Sequence, residues 1–474
     1  MKNIVTFLIS LLLTTNLLAQ TTVSGDQTGI WAKANSPYLV EGDITVPSNQ
    51  VLTIEPGVTV QFQANYKFHV LGQLLAGGAE TDTIYFTAAD QTLGWGGIRM
   101  ENTSVLSTLS YCKFEDGKTV SNEFPDQHGG GLMLDHSDCR VDHCVFENNQ
   151  AIGDENGMGG AIYGLNTTQK THITNCIFRN NSTYAEGGAI KLSADSGALI
   201  EKCQFYNNSV SYGGGGICVY GCVDTKIHQC LFVDNFTIYS DGGAAFVEGF
   251  STGISFVNCT MIHNQAVNGE GGGVDVTYSD ASFTNCIVYD NDGAYSDDIY
   301  LNVGGNAEVN HCNMAVPADA VGGDNINVDA GFVDAAGGDY HLAEGSPCID
   351  SGIDSLTITD AYGNVYTPVD LDSMDYVGSA PDMGCFEYAE PMAVSTGWVA
   401  DYAVFPNPTS GVFVIDQAKA NDVVLISDLA GKVLWNQSLR SSREQIDISD
   451  WADGFYVLSV RSGQAVFTAK IVKE

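Results

Sequence analysis

Cys176-Ile177-Phe178-Arg179-Asn180-Asn181, followed closely by Gly187-Gly188-Ala189-Ile190, is the stretch whose reading decides the fold. The same two phrases keep returning. Cys144 to Asn149 precedes Gly159-Gly160-Ala161-Ile162, Cys203 to Asn208 precedes Gly214 to Ile217, Cys230 to Asn235 precedes Gly242 to Ala245, and Cys259 to Asn264 precedes Gly271 to Val274. Cys286 to Asn291 precedes Asp297-Asp298-Ile299, where the glycines are gone; Cys112 opens the series and Cys312 closes it. These cysteines lie 32, 32, 27, 27, 29, 27 and 26 residues apart. A period of that size marks a stacked array in which each repeat buries its apolar face against its neighbours. The repeat holds short Val/Ile/Phe/Tyr runs of period two, broken by Gly, Asn, Asp and Ser, and no helical pattern. At ~3.3 Å per strand residue, one period closes a coil with two or three short strands and their turns. The spacing predicts a parallel β-helix. Its hand is expected to be right, as parallel crossovers overwhelmingly are.

Two columns follow from the stacking. Cys112, Cys144, Cys176, Cys203, Cys230, Cys259, Cys286 and Cys312 share one inward position, with neighbours ~4.8 Å apart. Side chains in such a column point the same way, so vertical disulfides would be strained and buried free thiols are expected. A line of thiols does not converge on a tetrahedral metal either. Asn149, Asn181, Asn208, Asn235, Asn264 and Asn291 share one turn and should form an amide ladder.

Charge narrows the function. The net charge is −38, and residues 21–390 carry eleven Lys and Arg in all. Nucleic-acid binding needs clustered basic residues, and docking on anionic lipid needs a basic patch; both are excluded. An acidic exported protein, or one that meets cations, fits. Residues 1–20 form a signal peptide, with Lys2 at the basic start, Val5 to Leu13 as the apolar core and cleavage near Ala19 or Gln20. No cysteine follows the cleavage region to carry lipid, and no later run is long and apolar enough to span a membrane. The cysteines therefore sit in an oxidising setting.

The paired phrases Gly-Gly-Ala-Ile and Phe-x-x-Asn over residues 129–291 resemble the polymorphic outer-membrane protein repeats of surface adhesins. They also resemble the broader right-handed β-helix family. The resemblance implies the fold and leaves the function open, because adhesins, polysaccharide lyases and glycoside hydrolases share it. Residues 21–110 read as the N-terminal cap and first coils, residues 111–315 as regular repeats, and the β-helix as a whole as residues 21–331. Residues 332–390, with Gly345 to Gly352 and Asp382 to Tyr388, resemble a segment that follows β-helices in exported bacterial surface proteins, which implies a C-terminal cap. Cys348 and Cys385 lie in paired-looking phrases there and are expected to form a disulfide, restraining the unfolded chain by roughly 4 kcal/mol. Residues 391–401 read as a linker. Residues 402–474, with Phe405-Pro406-Asn407-Pro408, Asp428-Leu429-Ala430-Gly431-Lys432 and Gly454-Phe455-Tyr456-Val457, resemble the C-terminal sorting domain of the type IX secretion system of Bacteroidetes. That resemblance implies export through the type IX machinery, then release or attachment at the cell surface. Short alternating strands with turn signals make this region a small β-sandwich. The fold class is thus all-β, a right-handed parallel β-helix followed by a small C-terminal Ig-like β-sandwich.

Chemistry could lie along two columns. Aligned on the glycines, Met133, Tyr163, Lys191, Cys218, Phe246, Asp275 and Tyr300 point outward, beside small residues two places earlier. Either this is a shallow trough, with Tyr163, Lys191, Phe246, Asp275 and Tyr300 binding sugar rings or a partner's apolar patch, or the loops before the glycines fold over it. Just before the glycines come Glu186, Asp241 and Glu270. Asp241 and Glu270 fall on adjacent coils, roughly 5 Å apart. They could be solvated, hold Ca²⁺, or serve a glycosidase. Asp241, Glu270, Asp275 and Lys191 are the catalytic candidates, and Glu186, Asp241 and Glu270 the metal candidates. No cofactor is required, and Ca²⁺ is the one these residues could use. Recognition of an extracellular polysaccharide or a host or bacterial surface is the leading reading. A polysaccharide lyase or glycoside hydrolase is the alternative, and a structural surface protein the third.

Overall fold

A computed structural model describes residues 20–294, 296–359, 365–371, 376–388, 403–416, 422–427, 433–449, 451–452, 454–462 and 465–473. The signal peptide, save Gln20, and the linker lie outside them. The described residues form two compact units, one ending at Tyr388 and one beginning at 389. Among them, no helix is long and apolar enough to cross a membrane.

The first unit is a parallel β-helix. One regular coil runs through strands Ile190–Ser193, Leu199–Glu201, Gln204–Tyr206 and Ser209–Val210. Each pairs in parallel with its counterpart one coil on. There are thus four strands per coil, one more than the spacing suggested, because the fourth is just two residues long. The ladders gather into sheets of 20, 12 and 7 strands. Strand Tyr38–Val46 merges two ladders into the largest sheet, since its first half pairs with Thr59–Phe62 and its second with Phe68–Val70.

The repeat phrases explain the packing. Phe114, Phe146, Phe178, Phe205 and Phe232 stack along the core with ring centroids 4.5 to 5.0 Å apart and planes within 8° of parallel. The cysteines beside them are buried and free. Each thiol caps local backbone; Cys176 Sγ donates to Thr174 O at 3.0 Å and to Val141 O of the previous coil at 3.5 Å. The asparagines form the expected ladder. Asn181 Nδ2 donates to Asn208 Oδ1 at 2.9 Å and to Phe146 O at 3.0 Å, and its backbone N–H donates to Asn208 Oδ1 at 3.0 Å. The residue before each cysteine turns the corner in a left-handed conformation, at φ 51° for His143, 53° for Asn175 and 54° for Lys202. That shared turn accounts for His143 without any chemical role.

The double glycine has two separate causes. Gly187 sits at φ +70°, which folds the preceding loop back over the next strand. At Gly188 a Cβ would lie 2.1 Å from Gly215 O, so close stacking of successive coils excludes any side chain.

The described parts of residues 332–388 run back along the flank of three coils. Tyr340 packs with Leu231, Val233 and Ile262, and Leu342, Cys348 and Met383 pack with Ile287. Asn258 Nδ2 donates to Asp382 O at 2.9 Å, and Ile353 N–H donates to Asn285 Oδ1 at 2.8 Å. One outward column changes along the coils from Glu147 and Arg179 through Tyr206 to Val233, Ile262 and Tyr289, and this switch marks the docking strip. The expected Cys348–Cys385 disulfide is absent: both are free thiols. Cys348 accepts a hydrogen bond from Asn313 Nδ2 at 3.3 Å within one apolar cluster, while Cys385 packs on another. Packing on the coils, rather than a cross-link, holds the two phrases in place.

The C-terminal unit holds seven described strands in antiparallel sheets of three and four. Phe413, Ile415 and Ile446 of the first share one buried core with Val424, Ile426, Leu458 and Ile471 of the second.

Candidate functional site

The outward column is not a surface trough. Met133, Tyr163, Lys191, Cys218, Phe246 and Asp275 are all buried, and Tyr300 is half-buried. Successive members are register partners on adjacent strands. The loops before the glycines cross over them. His128 stacks on Tyr163 with ring centroids 4.4 Å apart, and a Cβ on Gly213 would lie 2.4 Å from the Phe246 ring. Of the two arrangements open to the sequence, loop coverage is the one formed. Tyr163 and Phe246 therefore cannot bind sugar rings as an exposed strip.

The covered column gathers charge at two places. At the first, Lys191 is 1% exposed and its ammonium pairs with Glu186 and with Glu248 Oε1 at 3.2 Å. It also donates to Cys218 Sγ at 3.1 Å and lies 5.1 Å from the centre of the Tyr220 ring. Burial disfavours the ammonium, but the Cys218 sulfur and the two carboxylates outweigh it and hold the amine above its ordinary value. Burial pushes the Cys218 thiol and Glu248 up. A sealed, charged, doubly paired lysine is not a free base. Glu186, expected beside Asp241 and Glu270, belongs to this cluster instead, where the ammonium takes the position a metal would need.

At the second place, ligand atoms of Asp241, Glu270 and Asp275 lie within 4.8 Å of one another. Asp241 Oδ1 accepts from the Glu270 backbone N–H at 2.7 Å, which pins the two loops together. Asp275 Oδ1 accepts from Thr277 Oγ1 at 2.6 Å. Burial, with Asp241 and Glu270 adding to it, pushes Asp275 up to about 8. Burial and then Asp241 also raise Glu270, which the Tyr300 hydroxyl bonds.

Sequence reasoning missed a third place. An open groove of about 680 Å³ lies on the outer face of the 12-stranded sheet. His172, Leu199, Lys226 and Ser255 are successive register partners along its floor. Thr168, Gln169, Ser196 and Asp224 line its edge, and Thr367 and Pro368 of the hairpin formed by Ser355–Thr359 and Val365–Asp370 close its side. The outward floor positions mix Leu199 with His172, Lys226 and Ser255, which gave no clear pattern along the chain. The hairpin wall is a long-range contact with no local signature. Glu248 was missed too, because it reaches Lys191 from two coils away.

Comparison with known families agrees with the architecture. Residues 96–281 match the family described as right handed beta helix region. Residues 403–474 match the family described as secretion system C-terminal sorting domain. No curated protein and no solved structure gives a significant match. The chain thus carries a right-handed β-helix region ahead of a type IX sorting domain, which indicates secretion by that machinery and a place at the cell surface.

Proposed function

We propose that this is a surface-displayed recognition protein of a Bacteroidetes bacterium that binds an extracellular polysaccharide in the groove floored by His172, Leu199, Lys226 and Ser255. Its coils are of the polymorphic outer-membrane protein type, and its C-terminal unit is an Ig-like sandwich. One observation carries the binding reading: the lysine of the covered column is sealed and doubly paired, while the open concavity offers a cation, an imidazole and hydroxyls. Its rows repeat at ~4.8 Å, close to the scale on which a sugar chain presents its hydroxyls. Both faces of that arrangement suit binding without bond cleavage. No close carboxylate pair lines the groove.

The test uses the full chain on a panel of neutral and acidic polysaccharides, scoring retention and new reducing ends. Saturable binding, weakened about tenfold or more by Lys226→Ala with His172→Ala, is the expected result. New reducing ends would establish the lyase or hydrolase alternative. Binding unchanged in the double variant would remove the groove, and no binding to any glycan would leave a structural surface protein.

A further inference from the structure

The two charged clusters are variants of one arrangement. In each, an acid placed just before the double glycine meets the covered column. In the first, the column supplies Lys191 and the charges are matched inside the protein. Two and three coils on, Asp241 and Glu270 stand before the glycines and the column supplies Asp275, a third acid. Among the described residues, no Lys, Arg or His forms an ion pair with any of the three. Asp275 is 0% exposed, and its Oδ2 has no hydrogen-bond partner. A buried carboxylate oxygen without a donor, set against two further carboxylates, is a site short of one positive charge.

We infer that Asp241, Glu270 and Asp275 bind a calcium ion between adjacent coils. The donors are all carboxylate oxygens, with no thiol or imidazole among them, which favours a hard cation over zinc or copper. Asp241 and Glu270 are half-buried, so water has access to complete the six to eight oxygen ligands calcium takes. Magnesium demands a tighter octahedron, and carboxylates drawn from separate loops suit the looser geometry of calcium better. Gly269 belongs to the site: a Cβ there would stand 1.9 Å from Ser240 O and 2.9 Å from Asp241 Oδ1, so glycine lets the loop of Glu270 close on that of Asp241. The ion would tie those two loops to the strand beneath, at the position where Lys191 ties Glu186 to Glu248.

The experiment titrates Ca²⁺ alone into the chelator-treated full chain by calorimetry, with Tb³⁺ luminescence sensitised by Tyr300 as the local probe. No polysaccharide is present, so the outcome is independent of the recognition reading. One Ca²⁺ per chain is expected, with a rise in melting temperature. Asp275→Asn keeps the shape and the Thr277 contact; it should weaken binding at least about tenfold and abolish the melting shift. Glu270→Gln should behave alike, whereas Glu186→Gln should bind as wild type does. Two results would overturn the site: no binding up to about 1 mM Ca²⁺, the weak end for extracellular sites, or undiminished binding in a folded Asp275→Asn.

Discussion

Replacing Asn208 by alanine tests whether the amide ladder holds the coils together. Asn208 Nδ2 donates to Phe178 O at 3.0 Å and to Asn235 Oδ1 at 2.9 Å, and Asn208 Oδ1 accepts from Asn181 N–H at 3.0 Å and Asn181 Nδ2 at 2.9 Å. All four bonds go in the variant, at a site that is 0% exposed. Asn235 Oδ1 keeps the Asn208 backbone N–H, and Asn181 Nδ2 keeps Phe146 O, but the Asn181 backbone N–H loses its acceptor. An orphaned buried donor costs about 1–3 kcal/mol and each of the three further lost bonds about 0.5–1.5 kcal/mol, so the total is about 2.5–7.5 kcal/mol. Asn208→Asp should cost at least as much, because its oxygens would face two acceptors and bring a buried charge. Gln265→Ala, which loses one exposed bond to Asp292, should cost under about 1 kcal/mol. Urea unfolding followed by circular dichroism measures the cost, provided the slope is unchanged across the variants. Hydrogen exchange at the Asn181 amide gives the local readout, and its protection should fall in Asn208→Ala. A loss under about 1 kcal/mol, with that amide still protected, would refute the ladder as a source of stability.

Three further outcomes follow from the same packing. Gly188→Ala should cost more than about 2 kcal/mol in urea unfolding, since its Cβ meets backbone, whereas Gly323→Ala, with nothing within 4 Å, should stay within about 0.5 kcal/mol. Lys191→Met leaves the half-buried Glu248 and Glu186 without their cation and should cost about 1–3 kcal/mol; adding Glu186→Gln and Glu248→Gln should recover part of it, which a thermal-melt comparison reads directly. Burial, with Arg99 and Lys191 adding to it, lowers His128 to about 4 from 6.5. The unfolded chain therefore takes up a proton that the folded chain refuses as pH drops below 6.5, and stability falls by up to about 3 kcal/mol by pH 4. Melting curves from pH 7 to pH 4 should show His128→Phe gaining on wild type over that window alone.

Much of the architecture was legible in the residues. Cys176 and Asn181 recur at a fixed distance from Cys144 to Asn291, with Phe178 between them repeated until Met261 and Val288 take its place. Inward or outward direction along a strand follows from alternation, and stacking needs nothing beyond the period. The thiol column, the phenylalanine stack and the amide ladder are therefore local facts repeated. The glycines were legible as turns, but their consequence was not. Whether Tyr163 and Phe246 meet solvent depends on the path of the loop that Gly187 and its equivalents fold back, and that path is set by where the neighbouring coils lie.

Spacing along the chain was enough for a stacked β-coil with a free-thiol column and an asparagine ladder, and the C-terminal sorting region was legible through its resemblance to a known domain. The tertiary structure decided what spacing cannot carry. It sealed Lys191 between Glu186 and Glu248, set Asp275 beside Asp241 and Glu270, kept Cys348 and Cys385 apart on two clusters, and brought Thr367 and Pro368 to the side of the groove. Charge pairing and solvent exposure are properties of surfaces brought together from distant parts of the chain. They exist once the loops have closed, and no single repeat contains them.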